Sequence, residues 1–487
     1  MRKGLTILLA LLVLCAAGSA FAVRDICADK ETVAYTETVL YGDPAIMDGL
    51  RVDLRENFRR ALVWDSAVSF KNGSFEAETK YSFSARSMME YYPPQEKGYR
   101  ITLSTTTAYW KVMGVPRPVL WKVAEEMERD GVETRTVHLA DYYDNYPFHV
   151  SISDGDKLLY DSENGVGTLK GRPIYKALQE FFKIPVLESQ DSVLRIKKDF
   201  EGKLEGYTTD RDVGDSFFLQ TDGVIGKNGY FFWFDTHVWH DGVRGQDVVD
   251  TSRIPGGYGI YILPYSGDGV DSKGLSLFCP LAPETNILTL GISEDKKELL
   301  LHTEENGIYV ITVISAETGE TLQRLEVGSY VDGLCWAQGT AGFILLKSDT
   351  CLYAVTKGED GQYRVALQAP IQEFERRDSY APWNAWMGNS IAFDGERLVV
   401  ACYNLHSWVN EDFSNLYWED MGCGFYAAVY TNDGLQYYGE YDSSLDQSGF
   451  FAGSEQGSIH LFAGDVAIEE ENIRPFIVSP VTASWQS

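Results

Sequence analysis

The densest gathering of recognition chemistry lies between Cys402 and Cys423. There Tyr403, His406, Trp408, Phe413, Tyr417 and Trp418 are interleaved with Glu411, Asp412, Glu419 and Asp420. The stretch before it adds Tyr380, Trp383 and Trp386. Aromatic rings offer flat apolar faces and carboxylates accept hydrogen bonds, a pairing that suits a sugar ring or a peptide. Such residues on connecting segments point to binding. The competing reading is an insertion that folds back and buries its own rings. The candidate ligand-binding residues are therefore Tyr380, Trp383, Trp386, Trp408, Tyr417 and Trp418. Cys402 ends one expected strand and Cys423 opens the next. If those strands pair as a hairpin, a disulfide would clip the base of the loop; two buried thiols are the alternative.

A second patch holds Asp235, His237, His240 and Asp241. Imidazoles beside carboxylates can bind a metal or move protons. On an extended strand Asp235 and His237 share a face and His240 does not, and Asp241-Gly242 already reads as a turn. Asp235, His237 and His240 are thus weak metal candidates, and no cofactor is expected. There is no Gly-x-Ser-x-Gly elbow, phosphate-binding glycine loop or His-Glu-x-x-His, so no catalytic residue is assigned. Asp268 and Asp271 resemble half a calcium loop without its closing glutamate, which favours a plain turn.

The elements that carry these residues repeat. Gly259-Ile260-Tyr261-Ile262, Gly307-Ile308-Tyr309-Val310, Cys351-Leu352-Tyr353-Ala354 and Gly424-Phe425-Tyr426-Ala427 look like copies of one another. Their tyrosines recur every ~44–48 residues, with one longer gap that fits one more such unit plus an insertion. Each copy sits in a run of about four short strands joined by polar turns. In one unit these strands are Ile287 to Ile292, Leu299 to Leu301, Ile308 to Ile314 and Leu322 to Val327. Asp-Gly pairs, including Asp222-Gly223, Asp394-Gly395 and Asp433-Gly434, supply the positive φ that tight hairpins need. The inner strands, such as Phe343 to Leu346, are apolar on both faces and need cover above and below.

Four-stranded units stacked face to face meet that need, and here the chain resembles the β-propeller proteins in general. The signatures of WD and kelch repeats are missing, so no narrower family is named. The resemblance covers about Phe217 to Ser487 and implies an all-β fold: a β-propeller of seven or eight blades, each of about four antiparallel strands. Residues 23–216 read as degenerate blades or a small α/β subdomain, and 217–487 as the regular repeats. Two short helices are expected in the N-terminal half, at about Pro118 to Arg129 and Pro173 to Phe182. A strand near Thr32 to Leu40 is expected to complete the last blade near Phe476 to Val481.

Residues 1–22 have the layout of a secretory signal peptide: Arg2 and Lys3, an apolar run, then Ala20-Phe21-Ala22. The expected product is exported, soluble after cleavage, and membrane-bound only through an uncleaved N-terminal segment if at all. The net charge of −29 repels phosphate backbones and argues against nucleic-acid partners. The expected function is non-catalytic binding or scaffolding in the cell envelope or outside it, with a glycan, a peptide or an envelope protein as partner. The alternative is a carbohydrate-active enzyme of glycoside-hydrolase type, with paired carboxylates near the propeller axis.

Overall fold

The computed structural model describes residues 12–24, 32–58, 62–83, 97–105, 117–127, 131–141, 143–146, 148–155, 157–162, 166–187, 191–199, 201, 203–210, 216–217, 221–240, 243–266, 269–330, 336–340, 343–348, 350–371, 390–403, 424–445 and 481–486. The chain divides into two compact units, one of residues 1–93 with 331–487 and one of residues 94–330. Both are built mainly from antiparallel sheets.

Among the described residues, three sheets make the first unit. Sheet A runs Thr482–Trp485, Leu50–Phe58, Leu62–Lys71, Ser74–Phe83. Sheet E runs Trp336–Thr340, Phe343–Lys347, Cys351–Lys357, Tyr363–Pro370. Sheet F runs Ser390–Phe393, Leu398–Tyr403, Gly424–Thr431, Gly434–Ser443, with Tyr35–Gly42 as a fifth strand at its outer edge. Sheet F lies between the other two. Phe425, Ala427, Val429, Tyr437 and Tyr441 share a core with Leu50, Val52, Val68 and Phe70 of sheet A. The residues between them, Tyr426, Ala428, Tyr430 and Tyr438, share another core with Leu345, Leu352, Ala354 and Leu367 of sheet E. Period-two alternation puts neighbours on opposite faces, so apolar residues at every position mean two buried faces.

The second unit holds sheet B (Tyr99–Thr105, Phe148–Asp154, Lys157–Asp161, Val166–Gly167), sheet C (Thr221–Ile225, Gly229–Phe234, Gly259–Ser266, Ser276–Pro280) and sheet D (Asn286–Ile292, Glu298–Glu305, Ile308–Ser315, Thr321–Ser329). Their first strands are neighbours. The Leu103 amide donates to Thr221 Oγ1 at 2.7 Å, and Thr289 Oγ1 donates to Asp222 Oδ2 at 3.2 Å. Two helices, α1 (Arg117–Glu126) and α2 (Gly171–Phe181), add Val123, Ile174 and Leu178 to the core of this unit. Just after α2, the Phe182 ring meets Tyr261 edge-on at 4.9 Å. Two three-stranded sheets complete the unit, one of Gly131–His138, Asp191–Lys198 and Leu204–Asp210, the other of Ser216–Phe217, His237–His240 and Val243–Val248.

The repeated tyrosines occupy matching places. Tyr261, Tyr309, Tyr353 and Tyr426 each lie near the start of the third strand of sheets C, D, E and F, and each is at most 4% exposed. The residue that opens the third strand of sheet F is glycine for a steric reason. Gly424 has φ of +134°, and a Cβ there would sit 1.9 Å from the Tyr441 carbonyl oxygen.

Of the expected pairing of Thr32 to Leu40 with Phe476 to Val481, residues 476–480 lie outside the described residues. Tyr35–Gly42 pairs with Gly434–Ser443, whereas the C-terminal strand Thr482–Trp485 pairs with Leu50–Asp53 as the first strand of sheet A. Side-chain anchors account for both choices. Glu37 reaches the hydroxyls of Tyr437 and Tyr441, each at 2.8 Å. Trp485 lies under the Arg397 guanidinium at 3.9 Å, and Arg397 also donates to the carbonyls of Ile46 and Asp48 at 2.8 and 2.9 Å.

Candidate functional site

The sheet F register brings several strand ends together. Cys402 pairs with Tyr426 and Tyr403 with Phe425. Ser390, which opens the first strand, lies opposite Ala401, and Asp442 near the close of the fourth lies opposite Gly424. The Ala483 amide donates to Ser390 Oγ at 2.8 Å, which brings the start of the first strand of sheet A to the same end. Segment 372–389 leads into Ser390, segment 404–423 joins Tyr403 to Gly424, and segment 446–480 runs from the end of sheet F to the start of sheet A. All three therefore attach at one end of sheet F. Tyr380, Trp383, Trp386, Trp408, Tyr417 and Trp418 belong to the first two segments and lie outside the described residues, as does Cys423.

The base of this end is largely apolar, with Glu440 opposite Tyr426 and Asp442 opposite Gly424. Cys402 is 1% exposed, and burial pushes its thiol up to about 12, so as a thiol it stays protonated near neutrality. Its strand partner Tyr426 is raised above the ordinary tyrosine range, first by burial and then by the charge of Glu440. On the opposite face the Tyr437 and Tyr441 hydroxyls lie 2.6 Å apart and share Glu37 Oε1. Burial raises both. These groups brace the sheet: they tie the fifth strand to the fourth and keep the tyrosines protonated.

Asp235 and His237 do come together. Asp235 Oδ1 lies 2.9 Å from His237 Nδ1 and accepts from the His237 amide at 3.0 Å. His237 is 5% exposed. An aspartate that accepts the amide two residues on shapes a turn, and neighbouring Thr236 anchors that corner by donating to the Pro283 carbonyl at 2.9 Å. His240 ends the same strand, and its side chain lies outside the described residues. Among the described residues no set of three or more His, Cys, Asp and Glu side chains is arranged to hold a metal.

One feature escaped sequence reasoning. The face of sheet A opposite its core forms a groove of about 450 Å³ lined by Arg51, Asp53, Arg55, Asp65, Glu78 and Lys80, among others. Arg51 grips Asp53, with Nη2 at 2.7 Å from Oδ1, and Arg55 grips Asp65 across the strands with Nη2 at 3.1 Å from Oδ2. The alternation of Leu50-Arg51-Val52-Asp53-Leu54-Arg55 carries this face in plain sight. Its two arginines are paired with Asp53 and Asp65, as on a solvated sheet face.

No protein-family model matches the chain, and no curated protein sequence matches it. Solved structures give loose likenesses. The β-propeller domain of Cps50 (Swd1) from Myceliophteria thermophila is 12% identical, with 53% of this chain and 81% of that one covered and a TM-score of 0.21. A candidate 6-phosphogluconolactonase from Bacteroides uniformis is 11% identical over 64% of this chain and 99% of that one, with a TM-score of 0.20. TolB from Acinetobacter baumannii is 13% identical over 68% and 83%, with a TM-score of 0.17. Likeness at this level says nothing about activity.

Proposed function

We propose that the chain is an exported, non-catalytic binding or scaffold protein of the cell envelope or extracellular space. It recognises a glycan, a peptide or an envelope protein through aromatic residues on the connections at one end of sheet F. The supporting observation is the convergence of strand ends there. Ser390, Tyr403, Gly424 and Asp442 all mark the end at which segments 372–389 and 404–423 attach. A stiff sheet buried on both faces is a suitable platform for such connections. The matching third-strand tyrosines and the face-to-face packing of sheets A, F and E support propeller blades as the scaffold. Sheets A to F account for six blades. The seven or eight suggested by the sequence spacing would draw in the three-stranded sheets.

The test is a glycan and peptide binding screen on the full chain, beside a Trp408→Ala, Trp418→Ala double variant. The reading predicts that the variant loses about tenfold or more in affinity, as loss of aromatic anchors does. Binding that survives both changes removes it.

A further inference from the structure

The turn between sheet B and helix α2 has a charge and a polarity at odds with the rest of the chain. From Lys157 to Lys183 there are five basic residues and three acidic ones, in a chain of net charge −29. Leu169, at the tip of this turn, is 92% exposed, and Leu158 and Val166 on the adjoining strands are 42% and 38% exposed. Hydrogen bonds hold the tip outward. The Thr168 amide and hydroxyl both donate to the Leu159 carbonyl, at 2.9 and 2.8 Å, and the Gly171 amide donates to Thr168 Oγ1 at 3.1 Å. Gly171 lets the helix start press on the strand, since a Cβ there would meet the Leu159 carbonyl oxygen at 2.5 Å. The stacked rings of Tyr160 and Tyr175, 4.3 Å apart, lock the helix to the same strand.

The electrostatics of the helix start point the same way. A helix N-terminus carries partial positive charge and normally attracts acidic side chains. The first turn of α2 has no acidic residue, and its Gly171 amide is capped by the neutral Thr168 hydroxyl. Lys170 and Arg172, both exposed, stand there instead. Bases placed against the positive end of a helix cost stability locally and concentrate a field suited to an anion. The protruding leucine beside them calls for an apolar phase as well, which a soluble anion does not provide.

We infer that this tip is a docking site for an anionic lipid bilayer surface. Leu169, flanked by Leu158 and Val166, enters the interfacial region, while Lys157, Lys170 and Arg172 engage the phosphate-bearing headgroups. The full chain is to be floated with vesicles of phosphatidylcholine alone and of phosphatidylcholine with phosphatidylglycerol. Binding through the apolar N-terminal segment would contribute to both, so the readout is the gain given by the anionic lipid. The expected result is a gain of about tenfold that a Lys170→Glu, Arg172→Glu double variant abolishes. Leu169→Ser should lower binding to anionic vesicles severalfold and leave its salt dependence in place. These exposed positions leave the core untouched, which circular dichroism verifies. No anionic gain, or a gain equal in wild type and charge-reversed protein, overturns the inference.

Discussion

Sheets F and A lie side by side in one unit and share a core, yet they solve burial in opposite ways. Sheet F has apolar residues at successive positions, so Ala427 faces one core and Ala428 the other, both fully buried. Sheet A alternates, with Val52 and Val68 in the core and Arg51, Asp53, Arg55 and Asp65 on a half-exposed polar face. The contrast teaches where sequence change is tolerated. Along the third strand of sheet F nearly every side chain is constrained by packing, and new chemistry there is confined to the strand ends. Sheet A can vary one whole face without touching its core. Sheet D sides with F: its middle strands bury Leu301 on one face and Leu300, His302 and Ile311 on the other.

Substitutions can break or sharpen that contrast. The largest effect is expected from Phe425→Ala in sheet F, where a fully buried ring stacked on Tyr441 at 4.7 Å is lost. Denaturant unfolding should show a loss of about 3–5 kcal/mol. Next comes acid sensitivity through His302 in sheet D. Burial lowers its pKa from 6.5 to about 4, and its Nδ1 lies 2.9 Å from the Tyr309 hydroxyl. The unfolded chain then binds the proton more readily, so stability is full above pH 7 and falls as pH drops from about 6.5 towards 4. The loss is about 3 kcal/mol, and a pH series of unfolding curves should show His302→Gln flattening that window. Tyr441→Phe should cost about 1–2 kcal/mol, since it removes one of two hydroxyls bound to Glu37 and leaves the packing intact. The smallest change is expected on the polar face of sheet A, where thermal unfolding of Arg55→Ala should reveal less than about 1 kcal/mol.

Much of this was legible in the sequence, for a physical reason. The strands Ile308 to Ile314 and Phe425 to Tyr430 are long apolar runs closed by turn residues, and they stand where the pattern puts them. Both helices fall within a few residues of their expected places. Periodicity reads burial well, and the recurring tyrosine marks the third strand of four sheets. It does not read partner choice. The pairing of Tyr35–Gly42 with Gly434–Ser443 depends on Glu37 meeting two tyrosines some 400 residues away, and no local pattern encodes such a meeting. The groove on sheet A is not visible in any single strand, because its polar lining comes from separate strands whose pairing local alternation does not specify. Of the candidate site, the sequence gathered Asp235 with His237, whose geometry is that of a turn, and it located the aromatic connections whose attachment points sheet F brings to one end.

Burial of sheet F on both faces is best tested with a charge placed on each side of one strand. Ala427→Asp, Ala428→Asp and, as the reference on sheet A, Ala67→Asp should be compared by denaturant unfolding. The two sheet F variants should each lose more than about 3 kcal/mol or fail to fold, because each buries an unpaired carboxylate in a separate core. Ala67→Asp, on the half-exposed face between Asp53 and Glu78, should lose only about 1 kcal/mol through like-charge repulsion. Tolerance of either sheet F variant at the level of Ala67→Asp would contradict two-sided burial and, with it, the stacked-sheet architecture.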